Sequence, residues 1–143
     1  KPDNIFVAGF MGSPSMNFFN ARLQSNNGKV IVDCGSFNVT RPQGKDDTYK
    51  GYLGKDVTFG IRPEDIHDPN FAPPGIHQTT VEAKVDVTEL MGNEIFLYLV
   101  SGKNTFVARV DPRSKLRLGQ QASVAFDMDS IHIFDAVTEE AIR

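Results

Sequence analysis

Apolar and polar residues alternate with a period of two along most of this chain. The clearest alternation runs over residues 79–90, where the apolar positions are Val81, Ala83, Val85 and Val87. Because successive side chains of a strand point to opposite faces, this pattern predicts a half-buried antiparallel strand. Comparable patterns predict further strands at 17–24, 29–34, 56–62, 94–100, 105–110, 121–126 and 131–135. The chain is therefore predicted to be all-β, as a barrel or a sandwich.

The segments between the predicted strands differ in character. "NNG" at 26–28 predicts a tight hairpin turn. Residues 40–50 are polar and predict a loop, residues 63–75 predict a Pro-rich excursion, and residues 111–119 predict a long irregular connection.

The first residues of the chain have a different period. Pro2 and Asp3 stand where helix starts favour them, and apolar residues continue to Phe10. This predicts a short helix over 3–11, which ends at Gly12-Ser13-Pro14.

Composition narrows the class of protein. The chain has 143 residues, of which 40 % are hydrophobic and 23 % charged, as in one ordinary globular domain. The net charge of −3 argues against non-specific binding to nucleic acid or to an anionic membrane. One cysteine, Cys34, allows no internal disulfide, which predicts a cytosolic protein. Because the chain starts at Lys1 rather than Met, we expect a part cut from a longer protein.

Candidate catalytic chemistry is sparse. "GFMGSPSMNF" (9–18) is Gly-rich but lacks the glycine spacing and the Lys of a phosphate-binding loop, so no nucleotide site is predicted. His67 and His77 fall in the Pro-rich segment and are expected to be solvated, while His132 is expected to face outward or across the sheet. None has a partner at metal-ligand spacing. Cys34 is interpreted as a small buried hydrophobe.

Nucleic-acid binding is considered because small β-barrels often perform it. Phe96, Tyr98 and Phe106 lie on neighbouring predicted strands, but acidic residues are interleaved among them. Core packing is the stronger interpretation for Phe96 and Phe106.

One stretch favours an interaction site. In "GIRPEDI" (60–66) a predicted strand runs directly into Arg62, Pro63 and Glu64. Pro63 fixes its own φ and biases Arg62 towards an extended conformation, so the two charged side chains keep defined directions. A solvated surface ion pair is the simpler interpretation. The alternative is a junction with another domain, with a subunit or with the second half of the barrel.

Four stretches in order resemble a known family. "FVAGFMGSPSMNF", "FGIRPEDI", "ELMGNEIFLYL" and the closing "IHIFDAVTEEAI" are similar to the C-terminal part of MalK-like ATPase subunits of bacterial carbohydrate ABC importers. The resemblance covers essentially the whole chain. It implies an oligonucleotide-binding-like (OB) β-barrel arrangement of the transport-associated (TOBE) type after a short linking helix. Residues 1–16 would then be the linker and joint, and residues 17–143 the regulatory β domain.

The resemblance also implies a function and its partners. Such a domain follows the ATPase domain, pairs with its own copy in the ATPase dimer, and in some members receives a regulatory protein. The full protein would contact membrane permease subunits at the inner face of the cell membrane. ATP and Mg would bind only in the preceding domain, so no cofactor, metal, nucleic acid or catalytic residue is expected in this chain.

The motifs supply the candidate interface residues. We take as candidates for an interface or junction the residues Phe10, Ser13, Pro14, Asn17, Arg62, Pro63, Glu64, Glu89 and Gly92. Two other functions stay open at this point: a barrel that binds a small oxyanion and an oligonucleotide-binding module. A basic cluster would favour the first, and exposed aromatic and basic residues would favour the second.

Overall fold

A computed structural model describes residues 15–41, 46–116 and 119–142 of the chain. The predicted helix over 3–11 lies outside the described residues, and so do the candidates Phe10, Ser13 and Pro14. The boundary drawn after residue 16 therefore stays a prediction. In the described part of the chain, no helix is long and apolar enough to cross a membrane.

The described residues form ten strands joined by turns and short 3₁₀ segments. The strands are β1 (Asn17–Asn26), β2 (Lys29–Asp33), β3 (Asn38–Thr40), β4 (Asp56–Ile61), β5 (Ile66–His67), β6 (Gln78–Met91), β7 (Glu94–Ser101), β8 (Asn104–Val110), β9 (Gln121–Asp127) and β10 (His132–Asp135). The all-β prediction is confirmed, and each predicted strand corresponds to one of these.

The strands form two antiparallel sheets of five. Sheet one has the order β10-β4-β1-β2-β3, and sheet two has the order β5-β9-β6-β7-β8. The chain passes from sheet one to sheet two between β4 and β5, across the four residues 62–65. It returns from sheet two to sheet one between β9 and β10. The "GIRPEDI" stretch therefore contains the first connection between the two sheets.

The core lies between the two sheets. Phe19 of β1 and Phe59 of β4 stack with ring centroids 5.6 Å apart, and Phe19 meets Phe106 of sheet two at the same distance. Phe106 in turn meets Phe126 at 5.6 Å. These four rings are 0–3 % exposed. Burial of this much aromatic surface is the main force that holds the sheets together.

The predicted turn at 26–28 is confirmed. Asn27 and Gly28 have φ of 53° and 81°, and they join β1 to β2 with Asn26 paired to Lys29. A two-residue hairpin with both central residues at positive φ favours Asn followed by Gly, because its twist matches that of the strands.

Two segments contain more structure than their sequences predict. Residues 40–50 were predicted to be a loop, but Asp46–Tyr52 form a 3₁₀ helix and bury Tyr49. Arg41 lies over the Tyr49 ring at 4.8 Å, a cation–π contact that polar composition does not reveal. In the Pro-rich segment, Ile66 of β5 pairs with Phe126 of β9, and Asp68 is buried.

The alternation predicted for residues 79–90 holds for Val81, Ala83 and Val85, which are buried, but is wrong for Val87. The register of β6 against β7 shifts between Val85 and Val87. A bulge of this kind adds one residue to a strand and reverses which side chains face the core. Val87 is consequently 47 % exposed on the outer face of sheet two.

Candidate protein-interaction site

A shallow groove of about 360 Å³ lies on the outer face of sheet two. Strands β6, β7 and β8 line it, together with Asn17, the first residue of β1. Its lining residues are Asn17, Asp86, Val87, Glu89, Tyr98, Leu99, Val100, Thr105, Phe106 and Val107. A solvent-facing side of an antiparallel sheet is ordinarily polar. Here Val87, Tyr98, Val100 and Val107 give it an apolar floor.

Asn17 is held at the β8 side of this groove by two hydrogen bonds. Its Nδ2 donates a hydrogen bond to the carbonyl oxygen of Val107 at 2.9 Å, and its Oδ1 accepts one from the Val107 N–H at 2.8 Å. Asn17 itself is only 9 % exposed. Its amide therefore acts like one residue of a neighbouring strand, and it satisfies two backbone groups that face away from β7.

The hairpin between β6 and β7 projects beyond the groove. Its turn has Met91 opposite Glu94, with Gly92 first of the two central residues at a φ of 62°. Glycine favours this first position because it adopts positive φ without steric cost. Leu90 and Met91, just before the turn, are 71 % and 55 % exposed. Their side chains point to opposite faces of the strand, so the hairpin end exposes apolar surface on both sides and is a candidate for contacts with a partner.

The charged residues that line the groove are both acidic. They are Asp86 and Glu89, and the hydroxyl of Tyr98 donates to Glu89 Oε1 at 3.4 Å. Arg109 lies near the groove on β8, but its Nη1 is 3.8 Å from Glu94 Oε1. A groove with this lining favours a cationic partner over an anionic one.

The connection between the sheets contains a second polar cluster. Asp65 follows Pro63 and Glu64 in a short 3₁₀ turn that begins after the extended Arg62. Burial, and after it the neighbouring carboxylates of Glu64 and Asp127, raise the pKa of Asp65 from 3.8 to about 6. The positive charges of Arg62 and Arg109 oppose this shift. Pro63 is buried, and Arg62 and Glu64 are half-buried.

The structure divides the predicted candidates between two places. Asn17 and Glu89 line the groove, and Gly92 forms the turn of the adjoining hairpin. Arg62, Pro63 and Glu64 lie instead in the connection between the sheets. No pattern in the sequence indicated Val107, which contributes its backbone N–H and C=O rather than its side chain. The exposure of Val87 was missed because the alternation of apolar and polar residues does not indicate a bulge.

The motifs also meet on the outer side of sheet one. A Cβ atom on Gly60 would lie 2.6 Å from Met16 Sδ and 3.1 Å from the Phe134 ring. Met16 and Phe134 form a small second core with Phe18 and Ala141 packed against it. Residues of the first, second and closing motifs thus touch at one point, which explains the glycine of "FGIRPEDI" by close approach.

The remaining candidates for chemistry have structural roles. Cys34 is 6 % exposed, and burial raises the pKa of its thiol to about 12, as predicted for a buried hydrophobe. His77 is exposed and its Nδ1 lies 3.1 Å from Asp129 Oδ1. His67 was expected to be solvated but is half-buried, and this burial lowers its pKa. Among residues 15–41, 46–116 and 119–142, no group of three metal-ligating side chains comes together.

Two family models match the chain. The MalK OB fold domain matches residues 12–66, and the TOBE domain matches residues 59–134. The two overlap over residues 59–66, which include the connection between the two sheets.

Similar proteins of known name are ATP-binding proteins of importers. The oligosaccharides import ATP-binding protein MsmX of Bacillus subtilis (strain 168) is 44 % identical over 144 residues, covering 99 % of this chain and 38 % of that protein. The trehalose/maltose import ATP-binding protein MalK of Thermococcus litoralis is 42 % identical, again over 99 % of this chain and 38 % of its own length. The chain therefore spans about two fifths of the curated relatives it matches.

A solved structure shares the fold. The cytoplasmic molybdate-binding protein ModG, in a form with molybdate bound, superposes with a TM-score of 0.57 over 82 % of this chain and 94 % of that one. The two sequences are 14 % identical, so the likeness concerns the fold alone.

Proposed function

The chain belongs to the TOBE domain family in its MalK-type form, with an OB fold domain at its N-terminal side, and from this we propose that it is the regulatory and dimerisation domain of the ATP-binding subunit of a carbohydrate ABC importer. The observation that carries the proposal is the match of essentially the whole chain to 38 % of the length of each of several sugar-import ATP-binding proteins. That part corresponds to the OB and TOBE domains and not to the catalytic ATPase domain.

In this proposal the chain acts through protein contacts and not through catalysis. Its own ATPase domain, a second copy and the permease subunits would be its partners at the cytoplasmic face of the membrane. Nucleotide and Mg would bind in the ATPase domain. Calorimetry of this chain with Mg-ATP should accordingly show no saturable heat, and micromolar binding would contradict the non-catalytic assignment.

The exposed hairpin end supports the dimerisation part of the proposal. Leu90 and Met91 expose apolar side chains on the two faces of the hairpin end, and burying either against a second copy would remove apolar surface from water. Without the ATPase domains, the copies lose the effective concentration that those domains provide, so self-association of the chain alone is expected to be weak.

Sedimentation velocity over a range of concentrations tests the dimer. The wild-type chain should associate reversibly, and the double variant Leu90→Lys/Met91→Lys should remain monomeric. Val137→Lys is the control, because Val137 is 90 % exposed but lies in the turn after β10, beside sheet one. A wild-type chain that stays monomeric at millimolar concentration, or equal weakening by the control, would count against this interface.

The oxyanion-binding alternative is not favoured. An anion site needs positive charge or convergent backbone N–H groups. The groove instead carries Asp86 and Glu89, which would repel an anion.

A further inference from the structure

The groove on the outer face of sheet two has an apolar floor where solvent-facing side chains are expected. Val87 is 47 % exposed, and Tyr98, Val100 and Val107 are half-buried. The bulge after Val85 places Val87 on this face, opposite Tyr98 in the register. An apolar surface maintained in this way is suited to contact with an apolar side chain of another molecule.

The charges at the edge of the groove have one sign. Asp86 and Glu89 are its charged lining residues. Arg109 is directed towards Glu94, and Lys84 lies opposite Val100, outside the lining. Charge complementarity therefore selects a partner with Lys or Arg beside its apolar residue.

Two other occupants fit the groove less well. Groove-to-groove pairing of two copies would bring Asp86 and Glu89 of each copy together, and like charges in contact disfavour such a dimer. Addition of an extended peptide to the edge of β8 would require hydrogen bonds to the N–H and C=O of Val107. Both of these backbone groups are already bonded to the side chain of Asn17. A partner can therefore bind through the exposed side chains of the groove floor rather than through the backbone of β8.

We propose that this groove docks a basic segment of a regulatory protein, with an apolar side chain on Val87 and Tyr98 and a Lys or Arg against Asp86 and Glu89. The proposal rests on the regulatory function proposed above and names the partner's chemistry. It does not depend on the dimer, because Leu90 and Met91 are not among the residues that line the groove.

Titration of the ¹⁵N-labelled chain tests the proposal directly. The probe is the peptide acetyl-Lys-Leu-Lys-Phe-Lys-amide, and its matched counterpart has Glu at the three Lys positions. The basic peptide should give saturable shifts at the amides of Val87, Tyr98 and Val107, while the acidic peptide should give none. The shifts should weaken as salt is added, because the contact is electrostatic.

A charge-swap variant identifies the groove as the site. Asp86→Lys/Glu89→Lys should weaken binding of the basic peptide at least about tenfold and allow the acidic peptide to bind. The control Glu139→Lys/Glu140→Lys makes the same change in net charge at two exposed sites after β10, beside sheet one. This control should leave the affinity within about twofold of the wild type.

Three results would overturn the proposal. They are the absence of saturable shifts at these amides, equal weakening by both double variants, and shifts of the same amides with protein concentration alone. The last would assign the groove to contact between copies. Sedimentation of the wild-type chain reports separately on dimerisation, so a failed docking experiment and a failed dimer are distinguishable.

Discussion

Asn17 and Val107 lie 90 residues apart in the chain, and the side-chain amide of one makes both hydrogen bonds that the backbone of the other directs outward. The pair ties the start of β1, in sheet one, to β8 of sheet two. Asn17 is the first residue of β1 and belongs to the first of the four stretches that resemble the family. Its two hydrogen bonds therefore hold the start of β1 against the outward edge of β8.

Replacement of Asn17 should test this tie. Asn17→Ala leaves the N–H and C=O of Val107 without partners and should reduce the free energy of unfolding by about 2 kcal/mol. Asn17→Asp keeps an acceptor for the N–H but loses the donor to the carbonyl, so it should also destabilise the fold. Urea denaturation measures both. Asn20→Ala is the control, because Asn20 is exposed on the same strand; equal losses at the two positions would refute the special role of Asn17.

Gly60→Ala should destabilise the fold through overpacking. The added methyl group would meet Met16 and the rigid Phe134 ring at distances below ordinary contact, so the strands must shift. We expect a loss of about 1–3 kcal/mol. Thermal unfolding measures it, and the same substitution should cost less when it is made in a Met16→Ala background than in the wild type. A single variant as stable as the wild type would show that the close approach is not required.

Asp65 should make stability depend on pH in the opposite sense to an ion-paired carboxylate. Its pKa in the folded chain is about 6, above the ordinary value of 3.8, so the folded state binds the proton more tightly than the unfolded state. Stability should therefore rise as pH falls from about 6 to about 4, and the ionised carboxylate should destabilise the fold at neutral pH.

Asp65→Asn removes this ionisation. We expect the variant to gain about 1 kcal/mol at neutral pH, after allowance for solvent screening, and to lose most of the pH dependence in that window. Urea denaturation across the window measures both effects, and NMR titration of the Asp65 carboxyl gives the pKa itself. A wild-type carboxyl that titrates near 3.8 would contradict the burial argument.

Arg62 offers a test of the connection between the sheets. If it acts only as a solvated charge, Arg62→Ala should cost less than about 1 kcal/mol. If it holds a partly buried junction, the cost should approach about 3 kcal/mol, and Arg62→Lys should fail nearly as badly because Lys lacks the planar fork. The half-buried position and the neighbouring Asp65 favour the second outcome. Denaturation and sedimentation of both variants distinguish the two.

The sequence by itself determined the strands and most of their faces. Phe19, Phe59 and Val81 lie in the core as their alternation predicted, and Asn27-Gly28 forms the predicted turn. These features are local, because side-chain period and turn geometry depend on neighbours in the chain. The family was likewise readable from short motifs in order.

The tertiary structure decided how distant residues meet. The bulge that exposes Val87 depends on how β6 pairs with β7, and the burial of Tyr49 in a polar segment depends on its packing into the hydrophobic core. Asn17 reaches the backbone of Val107, a residue of the groove, across 90 positions of the chain. No alternation or motif encodes such a contact, since it arises only when two sheets pack and leave particular backbone groups unpaired.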